Sequence, residues 1–91
     1  MAYSLNMDRS TIEKVNCVIA SVLHRKSAAY ENMLRSEIPE WDSIAHAGII
    51  VSLEEEFGIE FEGSDLAAIA SSHGFAGAIE KTKALSRQQP A

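Results

Sequence analysis

From Ser10 onward, apolar residues fall at helical intervals. Ile12, Val15, Ile19 and Val22 recur three or four apart, Val18 and Leu23 widen the stripe, and Lys14, Asn16 and Ser21 lie largely off it. Ser10 and Glu13 have the form of a capping box. His24, Arg25 and Lys26 bring positive charge to the far end, where the helix dipole favours it. The spacing predicts a first helix over about 11–26, with Cys17 as a small residue at the edge of the core. Residues 1–9 carry no period and are expected to be loose.

The second pattern is denser. Ile44 to Leu53 is a nearly unbroken apolar run, followed by Glu54, Glu55, Glu56, Phe57 and Gly58. Asp42 and Ser43 are both helix-capping types, and Gly58 suits the left-handed residue past a helix end. A helix is therefore expected over about 43–57. Ala45, Ile49, Leu53 and Phe57 repeat every four residues and should face the core. Ile44, Ala47 and Val51 form a second line nearer Ser43, which suits either complete burial or an exposed partner face. Gly48 stands mid-helix, where it costs roughly 1 kcal/mol relative to alanine and would let another helix or a partner approach.

Between these two helices, residues 27–41 form a long connection. Ser27-Ala28-Ala29 extends the first helix at most briefly, and Pro39 biases Ile38 away from helix. Leu34, Ile38 and Trp41 are the candidates to pin the loop to the core. After Gly58, Ile59 and Phe61 alternate with glutamates as a short extended link. Ser64 or Asp65 can cap a short helix over about 65–70 with Leu66 and Ile69 inward. Ser72 can cap a last helix over about 73–85, with Phe75, Ala78, Ile79 and Thr82 as its stripe. Residues 86–91 read as a loose tail. The sum is an all-α, four-helix bundle, three longer helices plus one short, with a long loop between helices 1 and 2.

Size narrows the possibilities. The 91 residues suit one domain, with a core of about 10–85, and a domain this small buries roughly 60–65% of its unfolded surface. Apolar residues at 46% and charged residues at 23% argue against a disordered chain. A net charge of −5 disfavours nucleic acid, whose phosphates need clustered Lys and Arg. It suits a basic partner surface, or simply solubility. The single cysteine cannot form an internal disulfide, and no Cys/His set has metal spacing, so no metal site is expected. Residues 1–10 hold no signal-peptide core, and the longest apolar run is about half the ~20 residues that span a bilayer. A cytoplasmic monomer with no membrane insertion is the expectation.

The chemistry concentrates at Ser43. A hydroxyl displayed there sits at the positive end of a helix dipole, where an anion is favoured. Ser43 therefore reads as the attachment point of a phosphate-bearing group. A hydrolase built from Asp42, Ser43 and His46 is disfavoured: Ser43 and His46 lie one turn apart on one helix, with no Gly-x-Ser-x-Gly elbow.

Two segments carry a resemblance to a known family. Asp42-Ser43-Ile44 is similar to the Asp-Ser-Leu motif of the acyl carrier proteins, and Leu53-Glu54-Glu55-Glu56-Phe57-Gly58-Ile59 is similar to the motif that closes the same helix in that family. Their separation agrees as well, and the resemblance runs over about 10–83. It implies an acyl-carrier-protein-like fold and a single carrier domain over 1–91. Ser43 would receive 4′-phosphopantetheine from coenzyme A through a phosphopantetheinyl transferase, with Asp42 assisting attachment. The arm's thiol would carry acyl groups as thioesters. The carrier itself would not be an enzyme and would have no catalytic residues. Ile44, Ala47, Val51, Glu54 and Glu55 would meet partner enzymes that transfer, ligate or condense acyl groups in fatty-acid or polyketide biosynthesis. His46 would be a surface residue of helix 2 or a contact for the arm's phosphate.

The departures point to a specialised stand-alone carrier. Glu40 stands where the family usually has glycine, and Trp41 precedes Asp42. Ala45 and Gly48 occupy places that carriers of general fatty-acid synthesis fill with acidic residues. A dedicated pathway with its own partners follows. Two rivals share the scaffold: a peptidyl or aryl carrier, and an unmodified four-helix interaction adaptor.

Overall fold

The computed structural model describes residues 9–26, 30–61 and 65–88. The expectations for residues 1–8, for 27–29, for Ser64 and for 89–91 lie outside these. The described residues form three α-helices, α1 (Arg9–Leu23), α2 (Ser43–Phe57) and α3 (Ser72–Gln88), with 3-10 turns at Arg35–Glu37 and Asp65–Ala68. Among the described residues there is no strand, only an isolated antiparallel bridge between Leu34 and Ser71. The described residues are thus all-helical and compatible with a small bundle. None of its described helices is long and apolar enough to cross a membrane.

Helix α1 packs against both α2 and α3, so it buries a wider arc than its apolar stripe. Val15, Ile19 and Leu23 are buried as expected, and Thr11, Asn16 and Ala20 join them. Asn16, expected off the core face, has no exposed surface. Its Nδ2 donates to the Glu31 carbonyl at 2.8 Å, which satisfies a group that would be costly to bury alone. Cys17, expected at the core edge, is exposed instead. Thr11 Oγ1 donates to Glu80 Oε2 of α3 at 2.7 Å.

The ends of α1 also differ from the sequence expectation. Ser10 lies inside the helix rather than capping it, and Arg9 is helical. The helix stops at Leu23 rather than 26, because His24 adopts a left-handed conformation with φ 57°. Arg25 N–H then bonds the Ala20 carbonyl at 2.9 Å and His24 N–H the Ser21 carbonyl at 3.3 Å, closing the last turn. His24, Arg25 and Lys26 therefore follow the helix.

The 30–42 connection is pinned from two sides. Ile38 and Trp41 are buried, as expected; Leu34 is only half-buried, and Met33 takes its place in the core. Arg35 N–H reaches the Ala70 carbonyl and Ser72 N–H the Met33 carbonyl, both at 2.8 Å. Phe75, Ala76, Ile79 and Thr82 form the buried side of α3, with Ala78 half-buried. That helix continues to Gln88, beyond the 85 expected. Its cap is Ser71, whose Oγ accepts the Gly74 N–H at 3.0 Å, and not Ser72, which is the helix's first residue. Where a short helix over 65–70 was expected, the backbone forms the 3-10 turn Asp65–Ala68.

Candidate functional site: the start of helix α2

Helix α2 begins and ends where its sequence says. Asp42 is the N-cap, in an extended conformation (φ −97°, ψ −171°), and its carboxylate accepts the Ala45 N–H at 2.9 Å. The first helical bond runs from His46 N–H to the Asp42 carbonyl at 2.8 Å. Gly58 closes the other end with φ 64°. Ser43 is the first helical residue, and it is exposed. No acidic residue lies in the first turn of α2 itself. An anion on Ser43 would lie at the positive end of the helix dipole, although Asp42 already takes the Ala45 N–H.

Away from the core, Ile44 is 83% and Val51 52% exposed, and Ala47 between them is exposed too. The spacing of 44, 47 and 51 puts them on one line that begins beside Ser43. This second apolar line is therefore open to solvent. Glu55 is exposed as well. Glu54 is half-buried, and its Oε2 accepts the Phe61 N–H at 2.9 Å, so this carboxylate also anchors the link after α2.

The core face differs from expectation at three positions. His46, Ile49 and Leu53 are buried, while Ala45 and Phe57 are only partly so. His46, read from sequence as a surface residue, is 6% exposed. Its Nδ1 accepts the Trp41 indole N–H at 3.0 Å, and its Nε2 lies 2.9 Å from the Leu66 carbonyl. An indole can only donate and a carbonyl can only accept, so the ring is the neutral tautomer with its proton on Nε2. The Trp41 and His46 ring centroids are 6.1 Å apart, and both rings lie near Phe75 of α3, with centroids at 6.5 and 5.5 Å. Phe61 completes the cluster at 6.2 Å from Phe75.

The structure thus brings Asp42, Ser43, Ile44, Ala47 and Val51 to one exposed region and takes His46 out of it. Both His46 ring nitrogens are occupied, which removes the serine–base bond that a hydrolase triad requires. The partnership of His46 with Trp41 is not evident from the sequence, although the presence of both residues five apart around a cap is the available signal. No group of three or more His, Cys, Asp or Glu side chains among the described residues is arranged to hold a metal. Neither a protein-family model nor a curated protein matches the chain.

Proposed function

We propose that this chain is an acyl-carrier-type protein. In this reading Ser43 carries 4′-phosphopantetheine, and the chain presents acyl thioesters to other enzymes without catalysing a reaction itself. The observation that carries the reading is the exposed residue Ser43 at the first position of a 15-residue helix, capped by Asp42. Attachment would join the serine oxygen to the phosphate next to the pantetheine of coenzyme A and displace the nucleotide half, in the active site of a separate transferase. The residues fit the group: the hydroxyl is reachable, and the helix start favours the resulting phosphodiester. Asp42 stands beside it to assist the transferase. The arm supplies the thiol that holds the acyl group.

The fold would then be the four-helix carrier type, with the Asp65–Ala68 turn as its short helix. Partner enzymes would read the line Ile44, Ala47 and Val51, with Glu55 and the outer part of Glu54 at its end. With an apolar rather than acidic first stretch, that line suits enzymes of a dedicated pathway in the cytoplasm. Incubation with coenzyme A and a broad-specificity phosphopantetheinyl transferase should add the mass of one arm, and Ser43→Ala should gain nothing. An unaltered chain that never gains the arm would sink the reading and leave the adaptor.

A further inference from the structure

The residues that flank Ser43 on the chain are tied to each other beneath it. Trp41 stands two before and His46 three after, and the indole N–H to Nδ1 bond closes that six-residue segment at 3.0 Å. Inside the closure lie both bonds that start the helix, Ala45 N–H to the Asp42 carboxylate and His46 N–H to the Asp42 carbonyl. Trp41 is itself held at three further points. Its N–H reaches the Ile38 carbonyl at 3.0 Å, its carbonyl accepts from Arg35 Nε at 3.1 Å, and its ring lies on Phe75. On the other side, His46 Nε2–H holds the Leu66 carbonyl in the Asp65–Ala68 turn. A phenylalanine or leucine at 46 could fill this space. Joining both segments takes a side chain with one acceptor and one donor aimed in different directions, which an aliphatic or phenyl side chain lacks.

We propose that His46 is the positioning residue of this site. Through Trp41 it fixes how Ser43 is offered at the helix start, and through Leu66 it fixes where the 65–68 turn lies relative to that serine. The proposal rests on the carrier reading only for its enzymatic consequence. A transferase or partner that grips Ser43 and its surroundings meets a surface already set by this latch, so loosening it weakens recognition before chemistry.

The test uses the full chain with coenzyme A and the transferase. His46→Phe keeps a ring among Trp41, Phe61 and Phe75 but removes both hydrogen bonds. KM for the carrier should rise roughly ten-fold with kcat little changed, the pattern of lost binding rather than lost chemistry. Trp41→Phe removes only the indole bond and leaves the Leu66 tie, so it should raise KM less, and the double variant should be no worse than His46→Phe alone, because His46→Phe already removes the bond that Trp41→Phe deletes. Ile49→Ala, one turn further along the same buried face, should lower stability without moving KM. Unchanged KM in His46→Phe, or an equal rise in Ile49→Ala, overturns the proposal.

Nitrogen NMR of the unaltered protein tests the latch independently, even if the variants fail to fold. His46 should show the Nε2–H tautomer, and the chain's single tryptophan a slowly exchanging indole N–H. An Nδ1–H tautomer or a freely exchanging indole overturns the latch. If the unaltered chain accepts no arm, the carrier reading falls while this spectroscopic test still decides on His46.

Discussion

Two serines open two helices in this chain, and they have opposite fates. Ser43 is the first residue of α2 and Ser72 the first of α3; each follows a capping residue whose side chain takes the N–H three positions on. Locally they are close to interchangeable. Yet Ser43 is exposed, and Ser72 has no exposed surface. The Ser72 hydroxyl accepts the Met33 N–H at 2.8 Å and donates to the Glu31 carbonyl at 3.2 Å. The 30–34 segment crosses the start of α3 and turns its serine into a fastener. Local chemistry makes both helix starts attractive to an anion, but only the path of a distant segment decides which hydroxyl another molecule can reach.

Exchanging the roles is the strongest way to break this contrast. Ser72→Ala leaves the buried Met33 N–H without its acceptor, which should cost about 1–3 kcal/mol in urea unfolding. Its mass gain with coenzyme A should be unaltered. Ser43→Ala should show the reverse, no mass gain and an unmoved unfolding midpoint. A Ser72→Ala protein that unfolds like the parent would mean that the hydroxyl fastens nothing.

The caps sharpen the contrast at a smaller scale. Asp42→Ala and Ser71→Ala each remove a bond to a helix-start N–H, and each should lower stability by about 1 kcal/mol in the same titration. Only Asp42→Ala should also slow attachment of the arm, because only its helix start is the one offered. Equal attachment rates in the two variants would separate Asp42 from the chemistry and leave it a cap alone.

What the sequence can disclose follows the reach of each cause. The limits of α2 are legible because Asp42 and Gly58 act within one turn of themselves. Ser43 is exposed, as expected, but the local cap signal marks only the helix start and not the exposure, since Ser72 follows an equivalent cap and is buried. The burial of His46 is not legible, because it depends on Leu66, twenty residues on, and on an indole reaching back across the cap. Asn16 is hidden for a like reason: its partner is the carbonyl of Glu31, in a loop with no period. The end of α1 carries no glycine to announce it, since a histidine takes the left-handed position there. The cap of α3 lies one residue before the expected place because Ser71 and Ser72 are equally good capping types. The bridge from Leu34 to Ser71 and the hydroxyl bonds of Ser72 break that tie, and neither is local.

The same contrast between the two helices reaches their glycines, where the expected effects are smallest. A Cβ at Gly48 of α2 would meet Val22 Cγ1 at 3.7 Å, an ordinary contact. Gly48→Ala should therefore recover most of the helix-interior penalty and raise stability by about 0.8–1 kcal/mol. A Cβ at Gly74 of α3 would lie 2.9 Å from Ile69 Cγ2 and 3.1 Å from Ser71 Oγ, the hydroxyl that caps the helix. The branched methyl cannot swing away at little cost, and moving the hydroxyl loosens the cap. Gly74→Ala should thus destabilise, by about 1 kcal/mol, despite the better helix propensity of alanine. Matched urea titrations read both signs. If Gly74→Ala also stabilised, the start of α3 would be as yielding as the middle of α2, and the tight packing that hides Ser72 would need another explanation than the segment laid across it.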